Sequence, residues 1–396
     1  MRFHWFWKKN PNIKIAVIDS QFPQARPMGF RNSEINAILR TVPNAHAFAM
    51  RPMRPGADAW FHHGYGVKKS AFRRNFRSYL GVYPENAGRI SYLPRRLRGG
   101  RVVYSYFLAE TYTLLPYLNK NKLPFVFVLY PGGGFGLNNA SSDAMLRAIF
   151  TSPQFRRVIV TQPTTRDYLI NNNFCTPNQI EYLFGGYAQF SPADVLPKQY
   201  YPADKDTIDI CFVACKYSPR GIDKGYDLFI DAVRDLIHRH PNVRAHVVGN
   251  FNGSDIDVSD IRDKITFHGL LTPDALRKLY TRMDICISPN RPYKLFDGNF
   301  DGFPLGLEAM VFSTVLMTTD ELNNNRGSFD DGRELIVIKP DATDIIARVD
   351  ALIANPQNMY EIGRAGAMKL DTLMNPVQRS QHIIKILETI AGENEA

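Results

Sequence analysis

DGFPLGLEAM, Asp301 to Met310, follows an apolar strand, Asp284 to Pro289 (DICISP), and a loop of about ten residues. It precedes a second strand, Thr314 to Thr318 (TVLMT). Two carboxylates, Asp301 and Glu308, bracket a turn containing Gly302, Pro304 and Gly306, and the pattern predicts a helix starting near Leu305 to Glu308. A loop at the carboxyl end of a parallel strand is where doubly wound folds take ligands. A helix N-terminus there offers free N–H groups and a partial positive charge to an anion such as a diphosphate. Glu308, about one turn in, is placed to accept hydrogen bonds from a ribose diol. The same ten residues also read as a plain turn followed by a helix with an N-terminal acid.

On either side of this stretch the pattern alternates between short apolar runs and amphipathic segments. Upstream, strands are expected at Ile13–Ile18, Val102–Phe107, Phe125–Tyr130, Val158–Thr161 and Ile180–Phe184, with helices at 32–41, 110–119 and 164–171. Residues 190–207 hold three prolines and no periodicity, and read as a linker. The pattern then restarts: strand Ile208–Ala214, a loop rich in Lys and Arg, helix Tyr226–Arg239, strands Arg244–Gly249 and Ile265–Phe267, helix Thr272–Arg282, strand Ile285–Ser288. Strand Leu335–Ile338, helix Ala342–Ala354 and further helix from Gln357, broken near Asn375-Pro376, complete it. Strands alternating with helices at this spacing mean parallel sheets covered on both faces. The expected class is α/β, with two Rossmann-like doubly wound domains facing a central cleft. Residues 1–200 form the first domain and 201–375 the second, and 376–396 form a helix packing back on the first.

The chain has 396 residues, 44% hydrophobic and 22% charged, which is ordinary for a globular protein and excludes a disordered one. No apolar run reaches 18 residues, so no membrane span is expected, and the aromatic, basic N-terminus lacks a signal-peptide core. Four cysteines (Cys175, Cys211, Cys215, Cys286) show no metal spacing. Cys211 and Cys215 are expected on one face of a strand, so buried free thiols and a reducing compartment follow. Residues 1–205 carry 27 Lys and Arg against 10 Asp and Glu, and residues 206–396 carry 21 against 28, so +17 and −7 make up the net +10. The excess peaks in residues 51–101, with 12 basic and 2 acidic side chains. One half of the chain is therefore suited to a polyanion or an anionic membrane surface.

Within that basic region Lys68, Lys69, Arg73, Arg74 and Arg77 alternate with Phe72, Phe76 and Tyr79, and Arg95 to Arg98 (RRLR) follow. Single-stranded nucleic-acid binders use such interleaving, and so do interfacial membrane helices. A solvated basic helix with a packed aromatic face fits the same residues. Gly29 lies in a loop able to approach a phosphate. After Tyr130, Gly132, Gly133 and Gly134 either let a ligand come close to the backbone or make a mobile loop. His62, His63 and His268 are possible bases, but solvated or core roles are commoner and none is assigned to catalysis.

From Ile208 to Leu373 the chain resembles the retaining GT-B glycosyltransferases, which use nucleotide-sugar donors. The resemblance rests on Lys224-Gly225-Tyr226-Asp227-Leu228-Phe229, on Ile265 to Leu271 (ITFHGLL), on Ser288-Pro289, on DGFPLGLEAM, and on Thr314–Asp320 and Asp331–Pro340 after it. In the first half, Val158–Ile170 and Ile180–Phe190 look like that family's last N-domain strand, helix and hinge-proximal loop. The resemblance implies that Lys224 neutralises the donor diphosphate, with Lys216, or Arg220 in a longer loop, as its cationic partner. It implies that Glu308 holds the ribose, that Asp301 contacts the transferred sugar, and that the backbone of Phe303, Pro304 and Leu305 reaches the phosphates. Leu271 would pack on the base. The family often places a His where this chain has Tyr130, so Tyr130 or the Gly132–Gly134 backbone would take its place. Two departures stand out: the first acid is Asp rather than Glu, and six residues rather than seven separate Asp301 from Glu308.

Breaking a sugar–phosphate bond develops charge on a diphosphate, which fixed cations and helix amides can stabilise without a metal. Asp204/Asp206 and Asp255/Asp257 match Asp-x-Asp, but about two such matches are expected by chance in this composition. The sequence thus points to a cytoplasmic glycosyltransferase with no metal or other cofactor, possible on the inner membrane face, with Asp301 and Lys224 as its catalytic pair. Its partners would be a nucleotide-sugar donor, a cell-surface glycan or lipid-linked acceptor, and an anionic membrane surface at the basic helix. A GT-B epimerase, a sugar phosphorylase and a nucleic-acid-binding protein are the competing readings, and nucleic acid is not the expected partner.

Overall fold

The computed structural model describes residues 13–24, 29–53, 65–97, 100–186, 189–216, 218–291 and 306–393. Two parallel sheets account for the strands. The first contains β1 (Ile15–Asp19), β2 (Ala45–Ala49), β3 (Ile90–Tyr92), β4 (Val102–Tyr106), β5 (Phe125–Leu129), β6 (Phe155–Val160) and β7 (Ile180–Tyr182). Their order is β3-β2-β1-β4-β5-β6-β7. The second contains β8 (Ile208–Val213), β9 (Val243–Val248), β10 (Ile265–Gly269), β11 (Ile285–Ser288), β12 (Val315–Thr318) and β13 (Ile336–Val337), in the order β10-β9-β8-β11-β12-β13. In each sheet the winding reverses once, between β1 and β4 and between β8 and β11. Those two switch points are where ligand crevices form in doubly wound folds.

The central strands are buried along their whole length, as parallel strands covered on both faces must be. The helices are α1 (Phe30–Thr41), α2 (Lys69–Leu80), α3 (Leu108–Asn121), α4 (Ala140–Phe150), α5 (Pro163–Asn171), α6 (Tyr226–Arg239), α7 (Pro273–Tyr280), α8 (Ala342–Ala354), α9 (Pro356–Met374) and α10 (Pro376–Glu393). Local chemistry sets their ends. Thr272 caps α7 through the Ala275 N–H with Pro273 in the first turn, and α6 runs from Asp227 in its first turn to His238 and Arg239 in its last.

The chain forms two compact units. Unit 1 comprises residues 1–161, 165–183 and 377–396, and unit 2 comprises 162–164 and 184–376. In unit 1, Ile383, Leu387 and Ile390 of α10 share a core with Val17, Tyr104 and Val128 of the sheet. In unit 2, Phe212, Phe229 and Val233 pack on one sheet face and Cys211, Tyr280 and Leu316 on the other. The division falls between Leu183 and Phe184 rather than at 200. The proline-rich stretch 190–207 is not a linker but part of unit 2. There Lys198 Nζ donates to the Met283 carbonyl (2.5 Å), and the Tyr201 N–H donates to Tyr360 Oη (2.6 Å). Its regular structure is confined to one 3₁₀ turn, Pro192–Asp194, while its side chains still pack.

Candidate functional site

In unit 2 the chain leaves β8 and enters a tight loop that returns as α6. Lys224 ends a 3₁₀ segment, Pro219–Lys224, and Gly225 follows in the left-handed region (φ 67°) as the α6 N-cap. A Cβ on Gly225 would collide with the carbonyl oxygen of Pro289, just past β11. The Lys-Gly pair is therefore seated against the carboxyl end of the neighbouring strand, across the switch point. The Lys224 side chain is only 9% exposed, with Nζ 3.9 Å from Asp223. Burial pulls its ammonium below the ordinary lysine range, opposed by Asp223 and Cys215. Asp223 is itself buried and accepts a hydrogen bond from Ser218 Oγ.

Lys216, at the same strand end, pairs with Asp255 (2.6 Å), so its charge is already matched. Arg220 is exposed, in the left-handed region at φ 56°. Asp255 of the discounted Asp-x-Asp match is thus committed to a lysine. Cys215 is exposed and lies beyond β8, so it does not share a buried strand face with Cys211 as expected; the strand ends at Val213. Cys211 and Cys286 are buried free thiols, and Cys175 is partly buried.

The expected α-helix after the paired-acid loop is instead a short 3₁₀ segment, Leu307–Phe312, entered through Gly306 (φ 77°). Leu307, Ala309, Met310 and Phe312 are all buried, so the run is anchored on several sides within too few residues for an amphipathic helix. Glu308 lies in its first turn and accepts the Gln189 N–H (3.2 Å). Desolvation pushes its carboxyl up to about 7 against that bond. Leu271 is half-buried against the cluster containing Leu276 and Tyr280. Asp301, Phe303, Pro304 and Leu305 lie outside the described residues, as do His62 and His63.

Unit 1 revises several expectations. Tyr130 is buried, its ring edge-on to Phe30 and its hydroxyl 3.5 Å from Glu34 Oε2. It faces the interior and does not take the place of a site histidine. The three glycines after it all have positive φ. A Cβ on Gly133 would strike the Phe107 ring, and one on Gly134 would lie 2.6 Å from Ala109 Cβ. Their backbone approach is thus to Phe107 and Ala109 of this chain. Gly132 closes the turn by accepting the Phe135 N–H (3.2 Å). Gly29 caps α1 at φ 82°, with no atom of the described residues within 4 Å of its Cβ position.

Sequence reading missed a charged cluster at this switch point. Arg31 donates to Asp19 (2.8 Å) and Glu110 (3.2 Å), and its guanidinium lies 4.4 Å from the Phe107 ring centroid. Burial, with Asp19 nearby, lifts the Glu110 carboxyl to about 8 against Arg31 and Ser20. The signal was available: Asp19 ends the first apolar strand and Glu110 opens the helix after β4. On α2, Phe72 and Tyr79 are buried in the unit 1 core while Lys68, Lys69, Arg73, Arg74 and Arg77 are exposed. Phe72 and Tyr79 are therefore withdrawn from stacking on bases or entering lipid, Phe76 is half-buried, and the basic side chains meet solvent.

Unit 2 holds a second unforeseen network at the amino ends of β8 and β11. Lys205 Nζ bridges Asp209 and Asp284 at 2.6 Å each, and Tyr360 donates to Asp284 (2.8 Å). Asp209 also bonds His246 (2.9 Å), which in turn meets His268 (3.0 Å). His268 is thus tied into a polar chain rather than presented as a base. Among the described residues no three His, Cys, Asp or Glu converge to hold a metal ion, and no helix is long and apolar enough to cross a membrane.

Residues 209–355 match the family model described as "Glycosyl transferases group 1". Sucrose-phosphate synthase (tll1590) from Thermosynechococcus elongatus is 14% identical, with a TM-score of 0.62 over 94% of this chain and 98% of that one. Anabaena Alr3699/HepE, solved in complex with UDP and glucose, is 13% identical, with a TM-score of 0.66 over 95% and 99%. A glycosyltransferase from Rickettsia africae ESF-5 is 12% identical, with a TM-score of 0.62 over 95% and 98%. None of the curated proteins matches the sequence. At these identities the likeness establishes the fold: α/β, with two parallel-sheet Rossmann-like units in the GT-B class.

Proposed function

We propose that the chain is a hexosyltransferase-type glycosyltransferase. It moves a sugar from a nucleotide-sugar donor to a hydroxyl of a cell-surface glycan or lipid-linked precursor, with retention. The observation that carries this reading is the Lys224-Gly225 loop seated on Pro289 at the switch point of unit 2, inside the stretch that matches the family. Lys224 receives the diphosphate. Burial disfavours the charged form of Lys224, and an arriving anion beside it offsets that cost. Glu308 accepts the ribose hydroxyls and Asp301 contacts the sugar. Lys216 contributes with its Asp255 partner or Arg220 substitutes for it.

The sugar–oxygen bond breaks with its electron pair going to the diphosphate, whose charge Lys224 stabilises. The acceptor hydroxyl attacks from the same face and its proton passes to the leaving phosphate. No metal is needed for that step. Unit 1 binds the acceptor, and the basic face of α2 meets an anionic glycan or the inner face of a membrane in the cytoplasm.

The test is a thermal-shift series with UDP, GDP, ADP and CMP on wild type, K224A and E308A. A ligand that binds only the folded state raises Tm, by an amount set by its concentration over Kd. One nucleotide is expected to shift the wild type and not the variants. No shift with any nucleotide in a folded protein would overturn the reading.

A further inference from the structure

Arg291 stands where the chain leaves β11 to begin the loop that ends in DGFPLGLEAM. All its described contacts fall on the other loop of the switch point. Its N–H donates to the Asp223 carbonyl (3.3 Å), and its Nε donates to the Ile222 carbonyl (3.1 Å). Its Nη2 donates to both carboxylate oxygens of Asp227, at 2.6 and 2.5 Å. These contacts bracket Lys224 and Gly225 on both sides. Neither the family resemblance nor the proposed chemistry gives Arg291 a role.

The grip does two things. It fixes the loop at 222, 223 and 227, so that Lys224 sits on a segment held at both ends. It also answers a charge problem. Asp227 lies in the first turn of α6, where a negative side chain suits the helix but repels an incoming anion. A guanidinium on that carboxylate cancels the repulsion while leaving the helix amides and Lys224 to attract.

We propose that Arg291 is a positioning residue for donor binding: it holds the Lys224 loop in place and neutralises Asp227, so that the α6 N-terminus accepts a diphosphate. The inference rests on the function proposed above. It makes Asp227 and Arg291 a matched pair, in which removing the arginine is worse than removing both.

The test compares wild type, R291M, R291K and R291M/D227N by two measurements. The first is amide hydrogen exchange at residues 222–227 without ligand. Exchange is expected to speed up in R291M and, less so, in R291K, because an ammonium does not span the Ile222 carbonyl and the Asp227 carboxylate together. The second is calorimetric binding of UDP at low and high salt. R291M is expected to bind about tenfold more weakly at low salt, with the deficit shrinking as salt screens Asp227. R291M/D227N should recover part of the loss, which a merely structural role would not produce. Unchanged exchange in folded R291M overturns the positioning role whether or not UDP binds. A UDP deficit that is insensitive to salt and to D227N overturns the electrostatic role. Absence of binding by wild type to UDP, GDP, ADP and CMP alike, with exchange responding as expected, counts against the proposed function and leaves the loop clamp standing.

Discussion

Replacing Gly225 by alanine tests the seating of the Lys224 loop. At φ 67° an L side chain is strained, and a Cβ would lie closer to the Pro289 carbonyl than the 3.0 Å that real Cβ atoms keep. The left-handed conformation costs about 1 kcal/mol for alanine. Forcing apart two backbone segments pinned by sheet and helix adds about 2 kcal/mol. A loss of about 3 kcal/mol lowers Tm by about 6–12 °C in a unit of this size. Gly332 is the control, because its φ is 77° but no atom of the described residues lies within 4 Å of its Cβ position. G332A bears only the conformational share and should lose about 2–4 °C. Differential scanning calorimetry of the transition containing unit 2 measures both. If G225A and G332A fall equally, the contact with Pro289 is not tight and the account of the Lys-Gly pair fails. The surviving folded G225A should also bind less well whichever nucleotide shifts the wild type, since Lys224 shifts with its neighbour.

Two other outcomes are expected. Glu308 holds its proton to about 7, so a ribose diol that donates to the carboxylate finds it ionised only at higher pH. Affinity for the nucleotide-sugar of whichever nucleotide shifts the wild type should rise between pH 6 and 8 by calorimetry and rise less in E308Q, and identical profiles in the two would remove Glu308 from the ribose site. The basic face of α2 is solvated, so reversing Arg73, Arg74 and Arg77 to Glu should shift Tm by little and abolish flotation with phosphatidylserine vesicles, whereas F72A should cost about 3–5 kcal/mol. Unimpaired flotation of the triple variant would assign the patch to something other than anionic lipid.

Much of the strand–helix order could be read from periodicity, and α6 and α8 run between the expected residues. The misses have physical causes. β2 reads AHAFA: alanine and histidine have little strand preference of their own, and only burial between β1 and β3 makes the segment a strand. The 3₁₀ segment at Leu307 carries helix-forming residues, but all-round burial and two left-handed ends cut it short. The Lys205 network escaped notice because each of its acids sits at the edge of an apolar run. A signal was present in the repeated Asp-Ile-Cys of 209–211 and 284–286. The two copies lie side by side, Ile210 beside Ile285 and Cys211 beside Cys286, so that Asp209 and Asp284 share one lysine. At the candidate site Lys224 and Glu308 were singled out by the family resemblance, and the structure puts Lys224 on the loop between β8 and α6 and Glu308 in the first turn of the 3₁₀ segment. The partners that hold the loop, Asp223, Asp227 and Arg291, were not singled out, because nothing local links residue 291 to 227.

The return of α10 to unit 1 sets an order on synthesis. Unit 2 is continuous apart from residues 162–164, and its core is complete once α9 has been made. Unit 1 begins earlier but lacks Ile383, Leu387 and Ile390 until α10 emerges. The buried Arg379, which donates to the Leu183 carbonyl (3.3 Å) and lies 4.0 Å from Glu34, arrives with it. On the ribosome, the domain translated first is the one finished last, and its sheet waits with an apolar face uncovered while the whole of its neighbour is translated.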